Sequence, residues 1–110
     1  MNWIDLQSAS QLTDIQNQSK EKYQLIFKHS TRCSISVMIK NRLEKSATPN
    51  GVDFYYLDLL QYRNISASIA DMFHVYHESP QVLLIKNGEC IYDESHNAIS
   101  MDEISSMITA

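Results

Sequence analysis

Three short apolar runs, Tyr23–His29, Val52–Leu59 and Gln81–Lys86, are separated by stretches whose apolar residues recur at helical spacing. That alternation constrains the fold more than any other feature. Strands separated by helices pair in parallel through right-handed crossovers. Tyr23–His29 carries Leu25, Ile26 and Phe27 in a row, which predicts a strand buried on both faces. Asn87-Gly88 adds an antiparallel part, because a type I′ turn needs positive φ at both central residues and this dipeptide supplies it. Its partner strand is Glu89–Asp93.

The helical stretches are less even. Ser8–Lys22 is polar, with Leu12 and Ile15 as its apolar positions. Ser34–Glu44 places Ile35, Met38, Ile39 and Leu43 on a core stripe opposite Lys40, Asn41, Arg42 and Glu44. The cluster Thr48-Pro49-Asn50-Gly51 ends it. Ile65–Val75 resumes the spacing through Ile65, Ile69, Met72 and Phe73, with Asn64 or Ser66 as N-cap. Ser100-Met101-Asp102-Glu103 has the form of a capping box opening a last helix with Ile104, Met107 and Ile108. The expectation is an α/β fold, a mixed four- to five-stranded sheet with helices on both faces. No repeat or linker divides residues 1–110, so a single domain is expected.

Composition excludes more than it selects. The chain has 110 residues, 44% hydrophobic and 20% charged, enough for one core and too balanced for disorder. A net charge of −4 argues against a nucleic-acid partner, which calls for a basic face. Met1 to Leu6 shows no basic stretch followed by an apolar one, and no apolar run reaches membrane-spanning length. Cys33 and Cys90 are too few and too far apart for a disulfide framework. A reducing, cytoplasmic setting with no membrane partner is the expectation.

Cys33 stands where the first apolar strand gives way to the Ser34–Glu44 helix. Unpaired N–H groups of a helix start stabilise a thiolate, the nucleophile of thiol–disulfide exchange. From Lys28 to Arg42 the charged residues are Lys28, Arg32, Lys40 and Arg42, with no acid among them. A basic island in an acidic chain suits a reactive thiolate or a small anionic thiol substrate; a buried, inert cysteine is the plainer reading. Ser36 lies one helical turn on, on the same face, where a dithiol enzyme would carry its second cysteine. Serine closes no disulfide, so an adduct at Cys33 must be resolved by an outside thiol. The hydroxyl reads equally as a donor to the thiolate or as an ordinary first-turn serine.

The element order is that of the thioredoxin arrangement, with Cys33 at the nucleophile position and Pro80 at the position of the family's cis-proline. More narrowly, His29-Ser30-Thr31-Arg32-Cys33-Ser34-Ile35-Ser36, with Glu78-Ser79-Pro80-Gln81 and the late Ser95-His96, resembles the monothiol bacilliredoxins of the YtxJ type. The resemblance implies a monothiol thiol–disulfide oxidoreductase that removes bacillithiol, a small thiol carrying a sugar and a malate, from protein mixed disulfides. Cys33 and Ser36 would be catalytic, and Thr31, Arg32, Ser34, Ser79, Pro80 and His96 would bind substrate. Pro80, if cis, would turn the Ser79 backbone toward an extended partner segment. The implied partners are bacillithiolated proteins and bacillithiol or another low-molecular-weight thiol as co-substrate, with no further cofactor and no metal. One position departs: members commonly carry proline after the cysteine, and here it is Ser34, which leaves an extra N–H near the sulfur.

His29 reads as a base or orienting group for the thiol, or as a polar strand end; His96 as an anion ligand or a solvated loop residue. His74 and His77 flank a helix end and carry no assigned chemistry. Cys90 alternates with Tyr92 in the hairpin, several strands from Cys33, and a bridge needs Cα atoms within about 7 Å; it is read as packing. Other functions fit the residues less well. A peroxiredoxin-like loop would need proline at Ile26, and an arsenate-reductase loop arginine at Ile39. A glutaredoxin-like iron–sulfur scaffold would carry Gly-Phe where Ser34-Ile35 stands, and no Cys/His pair has metal-ligand spacing. A thioredoxin-like adaptor with an incidental Cys33 is the remaining alternative.

Overall fold

The computed structural model describes residues 1–108. Five strands, β1 (Trp3–Asp5), β2 (Tyr23–His29), β3 (Val52–Asp58), β4 (Gln81–Lys86) and β5 (Glu89–Ser95), form one sheet in the order β1-β3-β2-β4-β5. The helices are α1 (Ala9–Gln18), α2 (Ser34–Lys45), α3 (Arg63–Phe73) and α4 (Met101–Met107), with a 3₁₀ turn at His96–Ala98. β1, β3 and β2 run parallel, while β4 is antiparallel to β2 and β5 to β4. This is the mixed sheet the strand–helix alternation predicts, and it places β2 at the centre.

Every residue of β2 from Gln24 to His29 is buried. Ile26, with Tyr55, Leu57, Leu83 and Ile85 of the neighbouring strands, meets Leu12 and Ile15 of α1 and Ile65, Ile69 and Phe73 of α3. Leu25 and Phe27, with Phe54, Val82 and Leu84, meet Ile39 and Leu43 of α2 and Met101 and Ile104 of α4. The period-2 alternation of the strands thus divides the apolar set between two layers of helix. Because β2 ends between them, the loop that follows it is carried to one end of the sheet.

The Asn87-Gly88 turn has the expected positive φ at both positions, 54° and 77°. Ser19, at the end of α1, ties it down: its carbonyl accepts the Asn87 N–H at 2.9 Å and its Oγ the Gly88 N–H at 2.8 Å. A Cβ at Gly88 would meet nothing within 4 Å, so Gly88→Ala isolates the backbone cost of a left-handed residue. A loss of about 1–2 kcal/mol in urea unfolding is expected; an unchanged midpoint would contradict it.

The structure corrects the sequence reading in particular places. β1 was not foreseen; it is an edge strand of three residues, with Ile4 and Asp5 exposed, too short to show an alternation. α1 is shorter than Ser8–Lys22, since the Ser19 hydroxyl turns back to the Gln16 carbonyl at 2.6 Å. α3 starts earlier, capped at Tyr62 rather than Asn64 or Ser66, because Asp58 Oδ1 accepts from the N–H groups of Leu60 and Gln61 and forms the turn. It closes at His74, in the left-handed region. The Ser100 hydroxyl accepts from Asp102 N–H and so caps α4, with no return bond from Glu103 among the described residues.

Two corrections concern faces. The buried stripe of α2 is Ser36, Ile39 and Leu43, whereas Ile35 and Met38 are about half exposed at 47% and 49%. In β5 a bulge between Leu84 and Ile85 leaves Ile91 unpaired. Cys90 therefore packs with the α1/α3 core and Tyr92 with the α2/α4 core, and the two do not share a face as simple alternation predicts.

Candidate active site

β2 delivers the chain to the site. After His29, the Cys33 N–H donates to Ser30 O at 3.2 Å, closing a turn that sets Cys33 as the N-cap of α2. The first full helical bond runs from Val37 N–H to Cys33 O at 3.0 Å. The amides of Ser34, Ile35 and Ser36 precede it and have no acceptor four residues back within the helix. The Cys33 side chain makes no capping hydrogen bond and is partly exposed. Thr31, Arg32 and Ser34 around it are exposed. A sulfur so placed is reachable from solvent and lies at the positive end of the helix dipole.

Ser36 is fully buried beneath this turn. Its Oγ accepts the Ser30 N–H at 3.1 Å and lies 2.7 Å from His29 Nδ1. These bonds pull Ser36 into the stripe where the apolar spacing had placed Ile35. Among the described residues no hydrogen bond joins Ser36 to Cys33. The His29 ring is 3% exposed and tilts against Phe27 and Tyr56, with centroids 5.6 and 5.4 Å away. Burial, and then the Lys40 ammonium, hold His29 below the usual histidine range, against a smaller opposing pull from Asp58. That setting favours the neutral form of the ring.

The Ser79–Pro80 bond is cis, as the resemblance implied. The antiparallel register ends on Lys28 opposite Gln81, so its continuation runs Pro80 and Ser79 alongside His29 and Ser30. Pro80 is buried, and Ser79 Oγ is buried without a partner. His96 joins this segment: its N–H donates to Pro80 O at 2.9 Å, and Nε2 lies 2.9 Å from a Glu78 carboxylate oxygen. Arg42 of α2 binds the same turn from the other side, through Asn97 O at 2.8 Å and the carbonyl of Ile99. The end of α2, the 96–99 turn and the Glu78–Pro80 segment are thereby stitched together.

The basic island of the sequence is dispersed by folding. Arg42 is spent on backbone carbonyls, and Lys40 bridges Glu44 at 2.8 Å. Lys28 is fully buried and projects the other way, to the carbonyl of Ser66 and to His77 Nδ1, both at 3.4 Å. Burial lowers its pKa to about 8. Arg32 is the one base of the four that is exposed beside the sulfur without a partner among the described residues. Sequence reasoning missed three features here: the His29–Ser36 pair, the Glu78–His96 pair, and the burial of Lys28. Only the spacing of Ser36 on the helix offered a signal for the first.

Cys90 is different in kind. Both cysteines are free. The Cys90 thiol donates to Tyr92 O at 3.3 Å, and burial pushes its pKa up to about 11, which keeps it protonated at neutral pH. Among the described residues no helix is long and apolar enough to cross a membrane, and no cluster of three or more His, Cys, Asp or Glu stands ready for a metal.

Comparison with known proteins adds the family. A family model described as monothiol bacilliredoxin BrxC matches residues 4–104. Among solved structures, a candidate oxidoreductase with a thioredoxin fold superposes with a TM-score of 0.81 at 32% identity, covering 94% of this chain and 90% of that one. The thioredoxins of Malassezia sympodialis and Fasciola hepatica superpose at 0.74 and 0.73 with 21% and 18% identity. They cover 96% and 94% of this chain and 87% and 93% of their own, and they show the fold alone. The fold is thioredoxin-like, and redox chemistry at sulfur is the family's trade. Since the match runs from the first strand to the last helix, this chain belongs to the monothiol bacilliredoxins.

Proposed function

We propose that this protein removes bacillithiol from protein mixed disulfides by a monothiol route, in a cytoplasmic setting. The observation that supports it most is the partly exposed Cys33 at the start of α2, with a buried serine rather than a second thiol one turn on. The Cys33 thiolate attacks the bacillithiol sulfur of the mixed disulfide. The old S–S bond breaks, the client cysteine leaves as a thiolate and takes a proton, and Cys33 now carries bacillithiol. A second bacillithiol, as its thiolate, attacks that adduct, leaves as the symmetrical bacillithiol disulfide and returns Cys33 to the thiolate. Ser36 has no sulfur with which to intercept the adduct, so recycling depends on the external thiol. No metal or further cofactor enters.

Arg32 is the candidate partner for the malate carboxylates, with Thr31 and Ser34 hydroxyls beside it. Ser79 and Pro80 offer the flank on which the extended client segment lies. His96, already engaged by Glu78, contributes by holding that flank. Arg32→Ser is expected to slow reduction of a bacillithiol mixed disulfide by up to about fivefold, the worth of one exposed ion pair. Reduction of the uncharged hydroxyethyl disulfide should stay unchanged, and the difference should vanish in high salt. An equal loss on both substrates would contradict a carboxylate-binding role.

A further inference from the structure

Tyr76 is 93% exposed, while no other exposed large hydrophobic among the described residues exceeds 49%. Its backbone is nonetheless held through the residues around it. Gln81, buried in β4, donates from Nε2 to Tyr76 O at 3.0 Å and accepts the Glu78 N–H through Oε1 at 3.4 Å. His74 closes α3 in the left-handed region, and the Val75 N–H donates to Ala70 O at 3.2 Å. His77 Nδ1 is met by the Ser66 hydroxyl at 3.3 Å and by Lys28 Nζ at 3.4 Å. A ring left in solvent on a pinned backbone loses little conformational freedom when a partner covers it.

Beside that ring runs an open groove of about 640 Å³. Ala67, Ala70 and Val75 line it with apolar surface, His74 and His77 add imidazoles, and Asp71 adds a carboxylate. Asp71 is exposed and takes part in none of the ion pairs among the described residues. His77 brings it no cation: the Lys28 ammonium donates to Nδ1, and burial, then the Lys28 charge, favour the neutral ring. An apolar floor, an aromatic ring and a free carboxylate match the side chain of lysine or arginine. The aliphatic stem covers the floor, and the charged head reaches the carboxylate and the face of the ring.

We propose that this groove docks a basic side chain of the protein client, three or four residues from the cysteine presented to Cys33. The proposal deepens the monothiol reading above and rests on it for the identity of the client. Tyr76 precedes Ser79 by three residues, so their Cα atoms are at most about 11 Å apart. An extended segment lying on the Ser79–Pro80 flank covers that span in three or four residues. A small disulfide reaches Cys33 without entering the groove, so the groove separates protein clients from free disulfides. A second copy of this chain, at a net charge of −4, is the poorer occupant for a groove that carries a free carboxylate.

Docking is read without sulfur chemistry, so its failure and the failure of bacillithiol transfer are told apart. The probe is a short synthetic peptide with serine at the cysteine position and arginine three or four residues to either side. Its control carries glutamine in place of arginine. Amide NMR of the reduced protein should show Ala67, Ala70, Asp71, Val75 and Tyr76 shifting on titration, with the arginine peptide bound about fivefold more tightly. Asp71→Asn should remove most of that advantage, as should high salt. Tyr76→Ala should weaken the arginine peptide by about fivefold or more. Both side chains are exposed, so both variants keep the fold, which the remaining amides report. In turnover, Tyr76→Ala should raise KM for a bacillithiolated client that carries the basic residue, while reduction of hydroxyethyl disulfide stays unchanged. Equal binding of the two peptides, an arginine advantage that survives Asp71→Asn, or equal loss on client and small disulfide overturns the proposal. Shifts of the same amides with protein concentration alone would make a second copy the occupant and overturn it as well.

Discussion

Cys33→Ala is expected to reduce transfer of bacillithiol from a modified client to the uncatalysed background, while Cys90→Ala stays within about twofold of wild type. The asymmetry follows from where the sulfurs sit. Cys33 caps α2, is partly exposed, and stands beside amides that have no helical acceptor. Cys90 is held in the α1/α3 core, bonded to Tyr92 O and protonated up to about pH 11. Nucleophilic attack needs a thiolate that can reach the disulfide. Thiol release from the client, followed over time for the two variants, checks the expectation. Equal loss in both would mean that the second cysteine takes part and the monothiol scheme is wrong.

The second large effect is on stability, at Lys28. The ammonium is fully buried with two long contacts and no carboxylate among its described partners, and its pKa falls from 10.5 to about 8. Below pH 8 the residue is charged in folded and unfolded chains alike, and burial of that charge opposes folding in full. Between about 8 and 10.5 the unfolded chain holds one more proton than the folded one. Stability therefore rises with pH across that window, by at most about 3 kcal/mol. Tyr55, Tyr56, Tyr92 and Cys90, whose ionisation burial delays, work in the opposite sense at the alkaline end. The difference between wild type and Lys28→Met removes them. Lys28→Met should be more stable than wild type near pH 7, with the gap closing as pH approaches 10. Urea unfolding at a series of pH values reads it. A gap that does not depend on pH would show that Lys28 is charged throughout and better solvated than its burial implies.

The retention of so costly a lysine has a local correlate. Its Nζ lies in a triangle with Ser66 and His77, which precedes the Glu78–Pro80 flank of the site. Burial, and then the Lys28 charge, lower the pKa of His77 in turn.

Much of this architecture was legible because it rests on local physics. The apolar block Leu25-Ile26-Phe27 announces the central strand, Asn87-Gly88 the hairpin, and Cys33 the start of α2. β1 was not legible, since Trp3-Ile4-Asp5 is held by its parallel pairing with Phe54-Tyr55-Tyr56 rather than by its own pattern. The charge reading failed for a related reason. Lys28, Arg32, Lys40 and Arg42 are close in sequence, yet folding sends Lys28 through the sheet, Lys40 to Glu44 and Arg42 to the 96–99 turn. The His29–Ser36 bond joins a strand end to a helix interior, and no periodicity encodes which polar pair will meet there. The bulge that turns Cys90 away from Tyr92 is equally silent in the residues.

All of this converges on one sulfur, and trapping the adduct tests it most directly. A bacillithiol-modified client is mixed with this protein without any recycling thiol, quenched with acid, and the tryptic peptides are weighed. The account predicts that the peptide containing Cys33 gains the mass of one bacillithiol as the client loses it, with the Cys90 peptide unchanged. A client that sheds its bacillithiol while the Cys33 peptide stays unmodified, or an adduct on Cys90, would contradict it.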